Sequence, residues 1–311
     1  MQKTQKPDSV KDFTVDSREN ASALVRKLAS CGFQASELGE AVRIMREMRR
    51  DKECTRFFAF TANLAASGLR GVLAQFIREG GVDAVLTTGG AIDHDLIKSH
   101  APYLQGSFFL DDVALHKKKI NRLGNILVPN ERYALLEKKV QPVFRKLYAQ
   151  RKVWATSDFV RELASELCLR DKNSFLRACL ERGAPVFVPG FVDSALGLQL
   201  HFFKQDHPDF VLDETGDFKK LATLVLSAKK TGAVILGGGI AKHHTIGANI
   251  LRGGLDYSVY FTTASPFDGS LSGAQVQEAK SWGKIKEKAR AVTVVGDATI
   301  NFPLAVAALT G

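Results

Sequence analysis

Short apolar runs recur along this 311-residue chain, each ending near glycine, threonine or aspartate and followed by a stretch with helical spacing. That alternation is the strongest constraint on the fold. A run apolar throughout suits a strand buried on both faces, and parallel strands need a crossover long enough to hold a helix. The strand candidates are 84–87, 185–188, 210–212, 233–236, 257–262 and 292–295. Helical spacing runs over 68–79, 131–149, 156–169, 218–227, 274–282 and 302–309. The expected fold is α/β: a Rossmann-like open, mostly parallel sheet with helices on both faces. Upstream, Leu24, Leu28, Leu38, Val42, Ile44, Met45 and Met48 recur at helical spacing, with a break at Cys31-Gly32. They predict an N-terminal helical extension. Residues 1–20 are polar and read as an arm; 21–311 read as a single domain, because no repeat or linker divides them.

Composition narrows the function classes. Hydrophobic residues at 45% and charged residues at 24% exclude wholesale disorder, collagen and a small disulfide scaffold. Lys and Arg number 43 against 33 Asp and Glu, for a formal charge of +10. Such a balance admits nucleic acid, an anionic membrane or an acidic protein partner, and equally an ordinary solvated surface. Lys117-Lys118-Lys119 and the lysines between 284 and 288 lack interleaved aromatics, so no specific nucleic acid is expected. The longest apolar candidate, 221–236, is interrupted by Lys229 and Lys230, so no membrane span is expected. Cys31, Cys54, Cys168 and Cys179 form no C-x-x-C pair, and 1–20 lacks the apolar centre of a secretory leader. The expectation is a reduced, cytoplasmic protein.

Three glycine-bearing loops follow predicted strands: Thr87-Thr88-Gly89-Gly90, Gly237-Gly238-Gly239, and the run from Phe267 to Gly273. Glycine lets backbone approach an anion, and a following helix start offers free N–H groups. Ligands of open α/β sheets sit at the carboxyl ends of strands, so these loops are placed for a dinucleotide. None is a G-x-G-x-x-G or Walker A loop, and a single such cluster is more often only a tight turn. Asp193 and Asp297 also follow predicted strands, where an acid can bind a ribose hydroxyl or cap a turn.

His243 and His244 follow the glycine triplet. Adjacent histidines point in different directions, and no carboxylate spacing nearby supports a metal, so no metal is expected. The plain reading is a packed, hydrogen-bonded histidine; the functional alternative is that one of the two faces the cleft as a proton-transfer group. Glu278 and Trp282 are four apart and share a helix face. An indole face beside a carboxylate suits an organic cation. Lys284 follows across Gly283. Most lysines are surface charges, but one partly desolvated beside an amine pocket is a nucleophile for Schiff-base chemistry.

These residues resemble the deoxyhypusine synthase family. The match runs through Gly237-Gly238-Gly239, Lys242-His243-His244, Arg252-Gly253-Gly254, Asp256-Tyr257, Phe267-Asp268-Gly269-Ser270, Ser272-Gly273-Ala274 and Ser281-Trp282-Gly283-Lys284-Ile285. Asn63, the Thr87 to Gly90 loop, the stretch from Ile120 to Glu131, and Asp297 to Leu304 also match, so the likeness covers about residues 60–310. It implies NAD-dependent dehydrogenation of spermidine and capture of the aminobutyl group on Lys284. The group then passes to one lysine of the translation initiation factor 5A precursor. It further implies His243 on the hydride path and Glu278 and Trp282 in the amine pocket. NAD contacts fall on Asn63, Thr88, Gly89, Asp193, Gly237, Gly239, Thr263, Ala264, Asp268, Ser270, Ser272 and Asp297. A homotetramer with sites at paired subunits is implied, with the N-terminal arm able to cover the entrance.

The chain departs from the eukaryotic pattern. Leu198 and Leu271 stand where two spermidine-binding acids are expected, and Gly247 replaces an asparagine. Thr245-Ile246, Thr262-Thr263-Ala264 and Ser270-Leu271-Ser272 are more similar to archaeal members. Asp93 and Asp95 are the acids available to compensate; otherwise the amine differs, as with agmatine. Homospermidine synthase, which uses a free diamine acceptor, shares the same lysine chemistry. A non-catalytic NAD or RNA binder is the reading from another class.

Overall fold

The computed structural model describes residues 9–310. Six strands form one wholly parallel sheet: Cys54–Phe60, Ala84–Leu86, Val186–Phe187, Lys230–Leu236, Leu255–Thr262 and Ile285–Val295. Numbered along the chain, they lie in the order third, second, first, fourth, fifth, sixth. This is the doubly wound arrangement, with its switch point between the first and fourth strands.

Alternate residues of each central strand feed two cores. Phe58, Phe60, Val234, Leu236, Val259 and Phe261 enter the larger one, with helices Phe33–Arg50, Arg70–Gly80 and Ala298–Thr310. Phe57, Ala59, Ala233, Ile235 and Tyr260 enter the other, with helices Glu214–Ser227, Gly239–Ala248 and Val276–Ser281. The expected strands were apolar throughout because both their faces are buried. The N-terminal helices, Ala21–Leu28 and Phe33–Arg50, break where Cys31-Gly32 predicted. They are more than an extension: Val25, Ala41, Ile44 and Met45 are part of the larger core.

The strands depart from expectation in two places. The central strand, Cys54–Phe60, is absent from the predicted set. Its apolar run, 57–60, is short, follows a helix closely and is preceded by polar Thr55 and Arg56, so periodicity does not separate it from a helix end. Arg56 is held by Asp83, Nε to Oδ2 at 3.0 Å. The predicted strand 210–212 lies outside the main sheet. Val211–Asp213 pairs in parallel with Val153–Ala155 as a separate two-stranded ribbon. Residues 104–129 add a small antiparallel sheet of three strands, Leu104–Gln105, Ile120–Leu123 and Ile126–Pro129.

Residues 9–20 carry no helix or strand and lie against the first helix. The Lys11 N–H donates to the Ser30 carbonyl at 3.0 Å, and Lys27 Nζ donates to the Thr14 carbonyl at 2.9 Å. Residues 1–8 of the expected arm lie outside the described residues.

Candidate active site

Because all six strands run the same way, their carboxyl ends share one edge. Every residue expected to touch a dinucleotide falls on that edge. Asn63 follows the first strand, Thr88 and Gly89 the second, Asp193 the third, and Gly237 and Gly239 the fourth. Thr263, Ala264, Asp268, Ser270 and Ser272 follow the fifth, and Asp297 the sixth.

The edge is tightest at the switch point. Gly237 has φ +81°, and a Cβ there would lie 2.9 Å from Thr61 Oγ1. A Cβ at Gly238 would fall 2.5 Å from Ser272 Cα, so only glycine lets these two loops meet. The Gly239 N–H donates to Ser272 Oγ at 3.1 Å, while the space a Gly239 Cβ would occupy is open to 4 Å. Helices Gly89–Lys98 and Gly239–Ala248 both start here with no side-chain cap. Thr88 Oγ1 is buried and has no hydrogen-bond partner. The uncapped helix start at Gly89 and the unpaired Thr88 hydroxyl at a switch point are what a phosphate-bearing ligand satisfies, so the residues fit a dinucleotide. The acids are more peripheral. Asp193 and Asp268 are exposed, and Asp268 Oδ1 accepts from the Ser270 N–H at 2.7 Å, which lowers its pKa. Asp297 Oδ1 accepts from the Thr299 N–H at 2.8 Å at the start of the last helix.

Beside this edge, on the face of the smaller core, a cavity of about 270 Å³ lies between helices Gly239–Ala248 and Val276–Ser281. It brings together Lys284, His243, Glu278 and Trp282. Gly283, at φ +65°, turns the chain from the short helix toward the sixth strand. The Lys284 N–H then donates to the Ala279 carbonyl and its own carbonyl accepts from the Leu255 N–H, both at 3.0 Å. Lys284 is buried at 9% exposure, with Nζ 5.0 Å from the centre of the Trp282 ring. Trp282 itself is 66% exposed, and Glu278 and His243 are exposed beside it. The two histidines differ in setting: His244 is partly buried against Phe218, and burial lowers its pKa.

Lys242 lines the candidate site, and the sequence reading gave it no role. It is 1% exposed and lines the same cavity. Its Nζ donates to the carbonyls of Leu271 at 2.9 Å and Ala274 at 2.5 Å, and lies 4.4 Å from the Tyr260 ring centre. Burial pushes its ammonium down to about 8, with Glu278 pulling in the other direction. Helical spacing held the clue: Lys242, Thr245, Ile246 and Asn249 form one buried stripe.

The expected compensation for the missing acids fails. Asp93 is buried and accepts from the N–H groups of Ala195 and Leu196, at 2.7 and 2.9 Å. Asp95 is fully buried, bound to Arg70 Nε at 2.6 Å and the Ser174 hydroxyl at 2.6 Å. Neither lines the cavity. Leu271 lines it, whereas Leu198 is 53% exposed on helix Ala195–Asp206 outside it. Glu278 is the one carboxylate in the cavity lining among the described residues.

Fold and cavity together define a doubly wound α/β protein with a lysine-bearing pocket beside its ligand edge. The family model for deoxyhypusine synthase matches residues 23–309, and the chain belongs to that family. The match begins well before residue 60, taking in most of the first N-terminal helix and all of the second. A relative from Thermoplasma volcanium, named "Probable deoxyhypusine synthase", is 42% identical over 96% of both chains. One of the same name from Ignicoccus hospitalis is 43% identical over 96% of this chain and 94% of that one. A solved structure from Entamoeba histolytica, described under the same enzyme name, shares the fold. Its TM-score is 0.66 at 20% identity, over 97% of this chain and 96% of that one. The chain is thus an enzyme, a transferase of hypusine formation, with archaeal relatives. Among the described residues, no helix is long and apolar enough to cross a membrane.

Proposed function

We propose that this enzyme moves the aminobutyl group of spermidine, through an imine on Lys284, to one lysine of the translation initiation factor 5A precursor. NAD is its cofactor and the cytoplasm its compartment. The observation that carries the reading is Lys284: a buried amine beside an indole, in a cavity with one carboxylate and one imidazole at its mouth. When bound, NAD supplies a hydride acceptor for the first half of the reaction and the hydride donor for the second. The uncapped helix start at Gly89 would hold phosphate through backbone N–H groups, the open space at Gly239 would let the cofactor approach the backbone closely, and the Thr88 hydroxyl would gain the partner it lacks. Asn63, Asp193, Gly237, Thr263, Ala264, Asp268, Ser270, Ser272 and Asp297 complete the proposed contact set.

The chain's own residues then act in order. Glu278 and Trp282 bind the cationic donor by charge and by the ring face. The His243 imidazole takes the proton from the donor's secondary nitrogen as the carbon beside it is oxidised. Lys284 Nζ, as the neutral amine, adds to that carbon. The carbon's bond to the departing nitrogen breaks, and 1,3-diaminopropane leaves with the proton. The acceptor lysine displaces Lys284 Nζ from the imine carbon, and reduction of the new imine leaves a secondary amine. Exposed Trp282 and Phe267, at 66% and 95%, support a mouth covered by a second copy of the chain, as in a homotetramer.

One observation favours a second reading of the donor. With Leu271 in the wall and Glu278 as the lining acid, the cavity suits a donor with fewer cationic centres than spermidine, such as the dication agmatine. Transfer of labelled carbon from each amine, with NAD and either the factor precursor or putrescine as acceptor, tests both. The account expects label from spermidine on the precursor. Label from agmatine alone would establish the second reading, and transfer only to putrescine would establish homospermidine synthesis. Lys284→Arg should transfer nothing, because a guanidinium stays protonated and cannot attack.

A further inference from the structure

Helix Gly89–Lys98 begins at the Thr88-Gly89 turn and reaches two other loops of the ligand edge. Midway along it, the Asp93 carboxylate accepts from the N–H groups of Ala195 and Leu196, with one oxygen for each. Those are the first N–H groups of helix Ala195–Asp206, which the loop carrying Asp193 leads into. Ser194 completes the junction: its Oγ donates to the Phe191 carbonyl at 2.7 Å and accepts from the Gly197 N–H at 2.9 Å. A Cβ on Gly89 would lie 2.5 Å from Ser194 Cβ, so the two loops touch.

At the other end of the same helix, Lys98 Nζ donates to the carbonyls of Ala65 at 3.3 Å, Ala66 at 2.7 Å and Ser67 at 2.5 Å. These close the short helix Ala62–Ala66, which carries Asn63. A helix end otherwise leaves such carbonyls unpaired, and a lysine there also complements its dipole. The ammonium is further steadied over the Tyr103 ring, 5.5 Å from its centre.

We infer that Asp93 and Lys98 are positioning residues. They make this one helix a clamp that fixes the loops after the first, second and third strands in a single geometry. The inference rests on the reading of these loops as the NAD site. It gives Asp93 a purpose other than binding the amine. It also separates the two residues by target: Asp93 holds residues 190–198, and Lys98 holds 61–69.

The test is amide hydrogen exchange on the full chain without cofactor, followed by NAD titration, for wild type, Asp93→Asn and Lys98→Met. Asparagine turns an N–H toward one of the two backbone N–H groups; methionine removes all three donors. Asp93→Asn should speed exchange about fivefold over 190–198 and leave 61–69 unchanged, and Lys98→Met should do the reverse. In each variant the NAD dissociation constant should rise about fivefold, with KM for NAD raised more than kcat falls. A uniform rise in exchange across the chain would mean a merely structural role and would overturn the inference. So would unchanged exchange at the predicted segments, or altered exchange with unchanged NAD affinity. Failure of the wild type to bind NAD would refute the cofactor reading instead. The exchange pattern needs no cofactor and tells the two failures apart.

Discussion

Replacing Lys242 with methionine keeps the side chain's length and removes its charge from the cavity wall. The wild-type ammonium gains two carbonyl hydrogen bonds and a ring contact. Charged hydrogen bonds contribute about 1.5–3 kcal/mol each, and the ring contact about 1 kcal/mol. Against this stands burial, which moves the pKa from 10.5 to about 8 and so costs the protonated form about 3 kcal/mol. The opposing contributions partly offset, so near pH 7 the variant's unfolding free energy should lie about 1–4 kcal/mol below wild type. The pH dependence is the sharper readout. The native pKa lies below the unfolded one, so between pH 8 and 10.5 the unfolded chain binds more protons and wild-type stability rises with pH. That contribution is fully present above 10.5 and is lost as pH falls through 8. Urea unfolding at pH 8 and 9.5 should show the wild-type-minus-variant difference growing by about 1.5 kcal/mol. Lys98, whose burial also lowers it to about 8, is present in both proteins and cancels. A difference that stays flat across this window would refute the claim that a buried ammonium holds the Leu271–Ala274 wall.

Trp282→Ala should weaken donor binding about tenfold, since a desolvated ammonium over an indole is worth up to about 2 kcal/mol, and leave NAD affinity within twofold. Calorimetric titration with each ligand checks this, and equal losses would count against a cation-binding indole. Arg70→Met should cost about 3–5 kcal/mol in urea unfolding, because it strands fully buried Asp95 and removes the ion pair to Asp171. A loss below 1 kcal/mol would show that the Ser174 and Leu176 hydrogen bonds alone satisfy Asp95.

The sheet was legible where burial on both faces left a run of apolar residues, as at Ala233–Leu236 and Val259–Phe261. It was illegible at Cys54–Phe60, whose first turns of sequence carry Arg56 for an ion pair with Asp83. Sequence alone also gave 211–213 no way to show that its partner is 153–155 and not the main sheet, since pairing is a tertiary choice. The candidate site reads well in its glycines, because close loop approaches such as Gly238 against Ser272 exclude other residues. The acids read poorly. Asp93 and Asp95 sit three and five residues after Gly90, near enough to the loop to suggest a ligand role. The helix instead turns both carboxylates inward, to a helix cap and to Arg70. Lys242 was hidden beside the histidine pair, though its buried stripe follows helical spacing.

The central claim is that Lys284 carries the aminobutyl group. The most direct measurement is borohydride trapping with NAD and labelled spermidine, followed by peptide mass spectrometry, with and without the factor precursor. The account predicts an aminobutyl mass on Lys284 that moves to one lysine of the precursor when the precursor is present. An adduct on Lys242, or turnover with Lys284 unmodified throughout, would contradict it.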